Sequence, residues 1–131
     1  VTKHEISADQ FRKRGKEAIW QRRIIDMAKL YGWRCYHTTY SIGSDKGYPD
    51  LTCAHAQYDK LWIEVKGPNG KVAQEQIEWL EALNEGPTGL AIVAYPEDLE
   101  AVGELLAGRP VEIYDDPKDP VLRVRMIEET C

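Results

Sequence analysis

The sequence predicts a mixed α/β fold, a β-sheet flanked by α-helices. Three observations lead there. Apolar residues recur at helical spacing in three separate stretches, anchored by Trp20 and Ile24, by Trp79 and Leu83, and by Leu99 and Val102. Between them lie short runs rich in aromatic, β-branched and Leu residues, two of which flank a turn of hairpin length. Gly and Pro mark the joints, at Gly32, Gly67-Pro68, Gly86-Pro87 and Gly108. The order helix, three strands, helix, strand, helix is that of a mixed sheet with helices packed on it.

Each element has its own signal. Ser7-Ala8-Asp9-Gln10 has the form of a capping box, and periodicity then runs through Trp20, Ile24, Met27, Ala28 and Tyr31 to a stop at Gly32. Gly15 interrupts the first half of this helix and allows it to divide in two. Residues 33–40 read as a strand and 41–48, with Gly43 and Gly47, as a loop. Strands over 51–56 and 61–66 surround a turn at 57–60. A helix over 72–84 carries the stripe Trp79, Leu80 and Leu83, and GLAIVAY at 89–95 reads as a central strand buried on both faces. A helix over 96–107 follows, then an edge strand at 111–114, a loop at 115–120 and a weakly alternating segment at 121–127.

The length of 131 residues suits one domain, with a basic arm over about residues 1–15. With 43% hydrophobic and 30% charged residues the composition is that of a soluble globular protein. No run of about 18 apolar residues offers a membrane span, and the first ten residues lack a secretory pattern, so an intracellular, cytoplasmic protein is expected. Cys35, Cys53 and Cys131 are an odd set without framework spacing, expected to be reduced. The formal net charge of −5 is unevenly spread: residues 1–34 hold nine Lys/Arg against four acids, a local +5, leaving −10 for the remainder. Such a basic segment is either a solvated helix face or an electrostatic footprint for phosphate.

The chemistry concentrates in Pro49-Asp50 and Glu64-Val65-Lys66. Alternation along a strand puts Glu64 and Lys66 on one face. The midpoint between positions 50 and 64 is Gln57, inside the turn, so any near-symmetric register sets Asp50 beside Glu64. Two converging carboxylates resist burial unless a positive charge sits between them, and Mg²⁺ takes such oxygen ligands. The neighbouring ammonium can orient a water or offset charge growing at phosphorus. A solvated hairpin face is the plain alternative. Gln76 shares the face of Trp79, Leu80 and Leu83, which places an amide where the helix packs on the sheet. Glu17 shares a face with Gln21, Ile24 and Ala28, so it can look toward the same sheet or lie among surface Lys and Arg.

The segments Gly47-Tyr48-Pro49-Asp50-Leu51, Trp62-Ile63-Glu64-Val65-Lys66-Gly67, and Gln76 followed by Trp79-Leu80 resemble the VRR-NUC family of PD-(D/E)xK nucleases. Glu17-Ala18-Ile19-Trp20-Gln21 and Gly32-Trp33 resemble that family's first helix and the turn after it. The resemblance implies a restriction-endonuclease-like core, a mixed four-stranded sheet flanked by helices. It also implies a Mg²⁺- or Mn²⁺-dependent phosphodiesterase acting on DNA and leaving a 5′-phosphate and a 3′-hydroxyl. By the same resemblance Asp50 and Glu64 are metal-binding carboxylates, with the Val65 carbonyl as a third oxygen and Glu17 as the first-helix acid aiding a second ion or its waters. Lys66 matches the catalytic lysine, and Gln76 the glutamine that positions it. Arg12, Lys13, Arg14, Lys16, Arg22 and Arg23 would contact phosphates without reading sequence. Stand-alone members resemble Holliday-junction resolvases of recombination and repair, which implies branched DNA as substrate and a homodimer.

Two rival readings stay open at this level. Cys35-x-His37 and Cys53-x-His55 offer a Cys2His2 zinc set on neighbouring strands, although His37 could instead face the candidate cleft. A noncatalytic nucleic-acid-binding module on the same fold is the other, and the presence of Asp50, Glu64 and Lys66 together weighs against it.

Overall fold

The computed structural model describes residues 8–39 and 45–128, with side chains in the first helix from Gly15 onward. Helix α1 spans Ala8–Leu30, followed by strands β1 (Arg34–His37), β2 (Leu51–Ala54) and β3 (Leu61–Val65). Helix α2 (Gln74–Glu85), strand β4 (Leu90–Ala94), a 3₁₀ turn (Pro96–Asp98), helix α3 (Leu99–Leu106) and strands β5 (Glu112–Asp115) and β6 (Leu122–Arg125) complete the chain.

Strands β1 to β4 form one sheet in chain order, with β1–β2 and β2–β3 antiparallel and β3–β4 parallel. A parallel neighbour cannot be reached by a tight turn, and α2 supplies the crossover. Alternation then divides the core. Leu61, Ile63 and Val65 of β3 and Ile92 and Ala94 of β4 pack with Trp20, Ile24 and Ala28 of α1 and with Ala101, Val102 and Leu106 of α3. Ala91 and Val93 point the other way, to Ile77 and Leu80 of α2. The fold class is the one expected: helices on both faces of a mixed four-stranded sheet, a restriction-endonuclease-like arrangement.

Several boundaries differ from expectation, each for a local reason. Helix α1 is continuous through Gly15, because a single glycine costs a helix only about 1 kcal/mol and packing at Trp20, Ile24 and Ala28 outweighs that. Strand β1 is four residues long, and Tyr40 with positions 41–44 lies outside the described residues. The buried positions of α2 are Ile77 and Leu80, with Trp79 and Leu83 only partly covered. The helix expected over 96–107 opens with the 3₁₀ turn. The segment 111–114 is not an edge of the main sheet. It pairs with β6 in a separate antiparallel ribbon, and Val124 and Val121 join the two cores on either side of β4.

Cys35 stands directly opposite Cys53, with Sγ atoms 3.2 Å apart, and both are free thiols. Cys131 and the Ser7 capping position lie outside the described residues. Among the described residues no helix is long and apolar enough to cross a membrane.

Ile24 is wholly buried between α1 and the sheet. Ile24→Ala should therefore cost about 2–5 kcal/mol in urea unfolding, the range for truncating a core isoleucine. A loss below about 1 kcal/mol would mean that α1 does not anchor the core at this point.

Candidate active site

The register of β2 on β3 pairs Leu51 with Ile63, the symmetric arrangement about Gln57. One step further along, Asp50 meets the end of β3. Its Oδ2 accepts the Val65 N–H at 2.8 Å, so Val65 contributes its amide here, a contact its sequence position did not advertise. The segment before Asp50 is fixed against α2. Gly47 has φ +93, and a Cβ there would lie 2.5 Å from the Glu75 carbonyl carbon, so only glycine fits. Trp79 Nε1 donates to Lys46 O at 3.1 Å, and Tyr48 packs edge-on against Trp79 while its hydroxyl accepts the Trp62 indole N–H.

Glu64 and Lys66 share the α2 face of the sheet, as alternation requires, and both are buried, at 2% and 9% exposure. Gln76, in the first turn of α2, joins them. Its Nε2 donates to Glu64 Oε2 at 2.8 Å, and its Oε1 accepts Lys66 Nζ at 2.8 Å and the Ala73 N–H at 2.8 Å. Lys66 Nζ is also 3.4 Å from Glu64 Oε2. The glutamine thus caps α2 and bridges the two charged groups at once. The helix stripe places this amide against the sheet, as found.

Electrostatics set this cluster apart. Burial first, and the Asp50 charge second, push the Glu64 carboxyl up to about 8, despite the opposing Lys66 ammonium. Burial likewise raises Asp50, against the Val65 amide, Glu64, Lys66 and His37. The other oxygen of Glu64, Oε1, is buried without any hydrogen-bond partner. One oxygen of a buried carboxyl thus stands unpartnered beside a second carboxyl.

Glu17 stands close enough to interact with both Asp50 and Lys66. Its pKa is raised, first by burial and then by Asp50, with Lys66 and the Gly67 amide pulling it back. Among the described residues no three His, Cys, Asp or Glu converge on a common metal position, so Glu17 flanks the pair rather than closing a three-carboxylate cage. His37 faces α1, where the Gln21 amide donates to its Nε2 at 2.7 Å, and its influence reaches Asp50.

The Cys2His2 arrangement does not form. Cys35 and Cys53 contact each other, and His37 is bound to Gln21. His55 lies beyond the far end of β2, its Nε2 donating to Tyr31 O and its Nδ1 accepting the Gln57 N–H. Facing strands put the two histidines at opposite ends of the β1–β2 pair.

Of the basic residues, Lys16, Arg22 and Arg23 are exposed on α1, and Arg22 pairs with Asp26 at 3.3 Å. The side chains of Arg12, Lys13 and Arg14 lie outside the described residues.

A mixed four-stranded sheet with a carboxylate pair and a lysine where its central strands β2 and β3 end is an arrangement of the restriction-endonuclease-like class. The chain belongs to the VRR-NUC domain family, whose model matches residues 8–95, and its function at family level is that of a DNA-binding nuclease domain. No curated protein matches it.

A carboxyl whose folded pKa lies above its unfolded value of 4.5 favours the fold while protonated, and that contribution is lost as pH rises through the folded value. Without divalent cations, melting temperature should therefore decline between about pH 4.5 and pH 8. Glu64→Gln, which keeps the shape and removes the charge, should flatten that decline. A profile identical to that of the unaltered protein would show that Glu64 does not titrate in this window.

Proposed function

We propose that this chain is a single-domain, Mg²⁺- or Mn²⁺-dependent DNA endonuclease acting on branched duplexes such as four-way junctions. The observation that carries the metal dependence is Glu64 Oε1, buried without a partner beside a second carboxylate. Oxygen donors alone, two of them carboxylates, suit a hard divalent cation. Asp50, Glu64 and the Val65 carbonyl would hold it, with Glu17 available to a second ion or its waters. When bound, the ion would supply Lewis-acid polarisation of a phosphate oxygen and a more acidic water.

The remaining work falls to the chain's own residues. Gln76 fixes the Glu64 carboxylate from one end of its amide and Lys66 from the other, so neither can turn away. Lys66 Nζ orients the attacking water or offsets negative charge developing at phosphorus. The buried walls around Glu64 and Lys66 strengthen each of these interactions by keeping the local dielectric low. Arg12, Lys13, Arg14, Lys16, Arg22 and Arg23 would contact phosphates, positioning the duplex without reading bases. Selection would then rest on DNA shape. A homodimer, with two sites related by a two-fold axis, would suit paired cuts in a symmetric junction.

The test is cleavage of supercoiled plasmid and of a four-way junction with Mg²⁺, with Mn²⁺ and with EDTA. The junction should be cut faster than linear duplex, and EDTA should abolish cleavage. Asp50→Ala and Lys66→Ala should each lose at least about a hundredfold in rate. Full activity in Asp50→Ala, or cleavage in EDTA, would sink the mechanism. Binding without cleavage by the unaltered protein would indicate the noncatalytic module instead. Affinity should fall steeply as salt rises, and a flat response would remove the basic residues from the interface.

A further inference from the structure

The C-terminal ribbon supplies none of the carboxylate–lysine cluster and lies outside the 8–95 segment matched by the family. One of its side chains is nonetheless charged and largely buried. Arg123 of β6 donates to both oxygens of Asp98, from Nη2 at 2.8 Å and Nε at 3.3 Å, and from Nη1 to Asp116 Oδ2 at 2.9 Å. The side chains of Asp98 and Asp116 are 7% and 5% exposed, so this fork is shielded from water and held in one orientation.

The guanidinium carbon lies 4.7 Å from the centroid of the Tyr95 ring, within cation–π range. The Tyr95 N–H also donates to Asp98 Oδ2 at 3.1 Å, so ring and backbone answer to the same carboxylate–guanidinium group. From there Tyr95 reaches back toward the cluster. Its hydroxyl donates to Gly70 O at 3.1 Å, at the end of a turn closed by the Gly70 N–H on Gly67 O. That turn lies against the lysine: a Cβ added to Gly70 would stand 3.2 Å from Lys66 Cβ and 3.3 Å from its Cδ. The turn therefore limits where the Lys66 stem can go.

We propose that Arg123 and Tyr95 are positioning residues that brace the 67–70 turn over the Lys66 stem and so keep Nζ on Gln76 and Glu64. This rests on Lys66 acting in the reaction as described above. Neither residue needs to touch DNA. Loosening the brace should then act on the rate of the bound complex rather than on substrate affinity.

Tyr95→Phe is the sharpest probe, because it keeps the ring beneath Arg123 and removes only the hydroxyl. In the full chain with Mg²⁺ and junction DNA, kcat should fall about tenfold, the scale for an outer partner of a site, with KM unchanged. Melting temperature should stay close to that of the unaltered protein. Amide exchange across residues 67–71 should quicken, and the Lys66 13Cε resonance should shift. Arg123→Lys, which keeps a charge but loses the fork, should quicken exchange over the same residues. Unchanged exchange with unchanged kcat in Tyr95→Phe would overturn the proposal. So would faster exchange with kcat intact, or a raised KM alone. If the unaltered protein cleaves no DNA, the nuclease reading fails, and the exchange and 13Cε measurements alone decide whether the brace exists.

Discussion

Asp50 and Glu64 meet because β2 pairs with β3 in the symmetric register, and the crowding of the buried Glu64 carboxyl against the half-buried Asp50 is the constraint on which the surrounding structure depends. Left alone, such a pair would take up a proton or pull apart. Burial raises both acids, and Glu64, pushed up to about 8, keeps its proton at neutral pH while each acid is also tied in place. The Val65 amide holds Asp50, while Gln76 and Lys66 hold one oxygen of Glu64. The other oxygen is left with nothing. The sheet register thus holds two acids together and leaves one oxygen of the pair unpartnered.

Outer layers serve that pair in a recognisable hierarchy. Helix α2 does double duty, covering one face of β3 and β4 with Ile77 and Leu80 while its first turn presents Gln76. The loop before Asp50 is locked to the same helix through Gly47 and Trp79, so the acid on one strand and the amide on the helix share a common support. On the opposite face α1 adds Glu17 to the surroundings of the pair while Trp20, Ile24 and Ala28 fill the core. Trp20 also reaches Ala94 O, the same carbonyl that receives the Lys66 N–H.

Much of this was legible in the sequence, for physical reasons. Hydrophobic period distinguishes helix from strand, and a turn centred on Gln57 leaves few registers for the hairpin, so the Asp50–Glu64 meeting followed for any register near the symmetric one, while the exact register was left open. Gln76 was visible as a polar interruption of an apolar stripe. What escaped were features without periodicity. The unbroken α1 reflects burial that outweighs the helix-breaking tendency of Gly15. The separate ribbon of β5 and β6 reads locally like any strand pair, since sequence does not say which sheet a strand will join. The Arg123 fork joins residues far apart in the chain, and nothing in the run Leu122-Arg123-Val124-Arg125 says which arginine is buried. The zinc spacing failed for a related reason: motif counting ignores that antiparallel strands carry equal steps in opposite directions.

The parallel pairing of β3 and β4 places the site in time as well as in space. Asp50, Glu64, Lys66 and Gln76 all lie upstream of β4, so a growing chain carries the whole cluster before the strand that seals it has been made. Until Leu90–Ala94 docks, β3 is an open edge and the Lys66 N–H lacks the Ala94 carbonyl. Both acids are thus made before the strand whose packing helps to bury them. Synthesis order keeps the acid–lysine cluster unfinished until most of the domain has emerged.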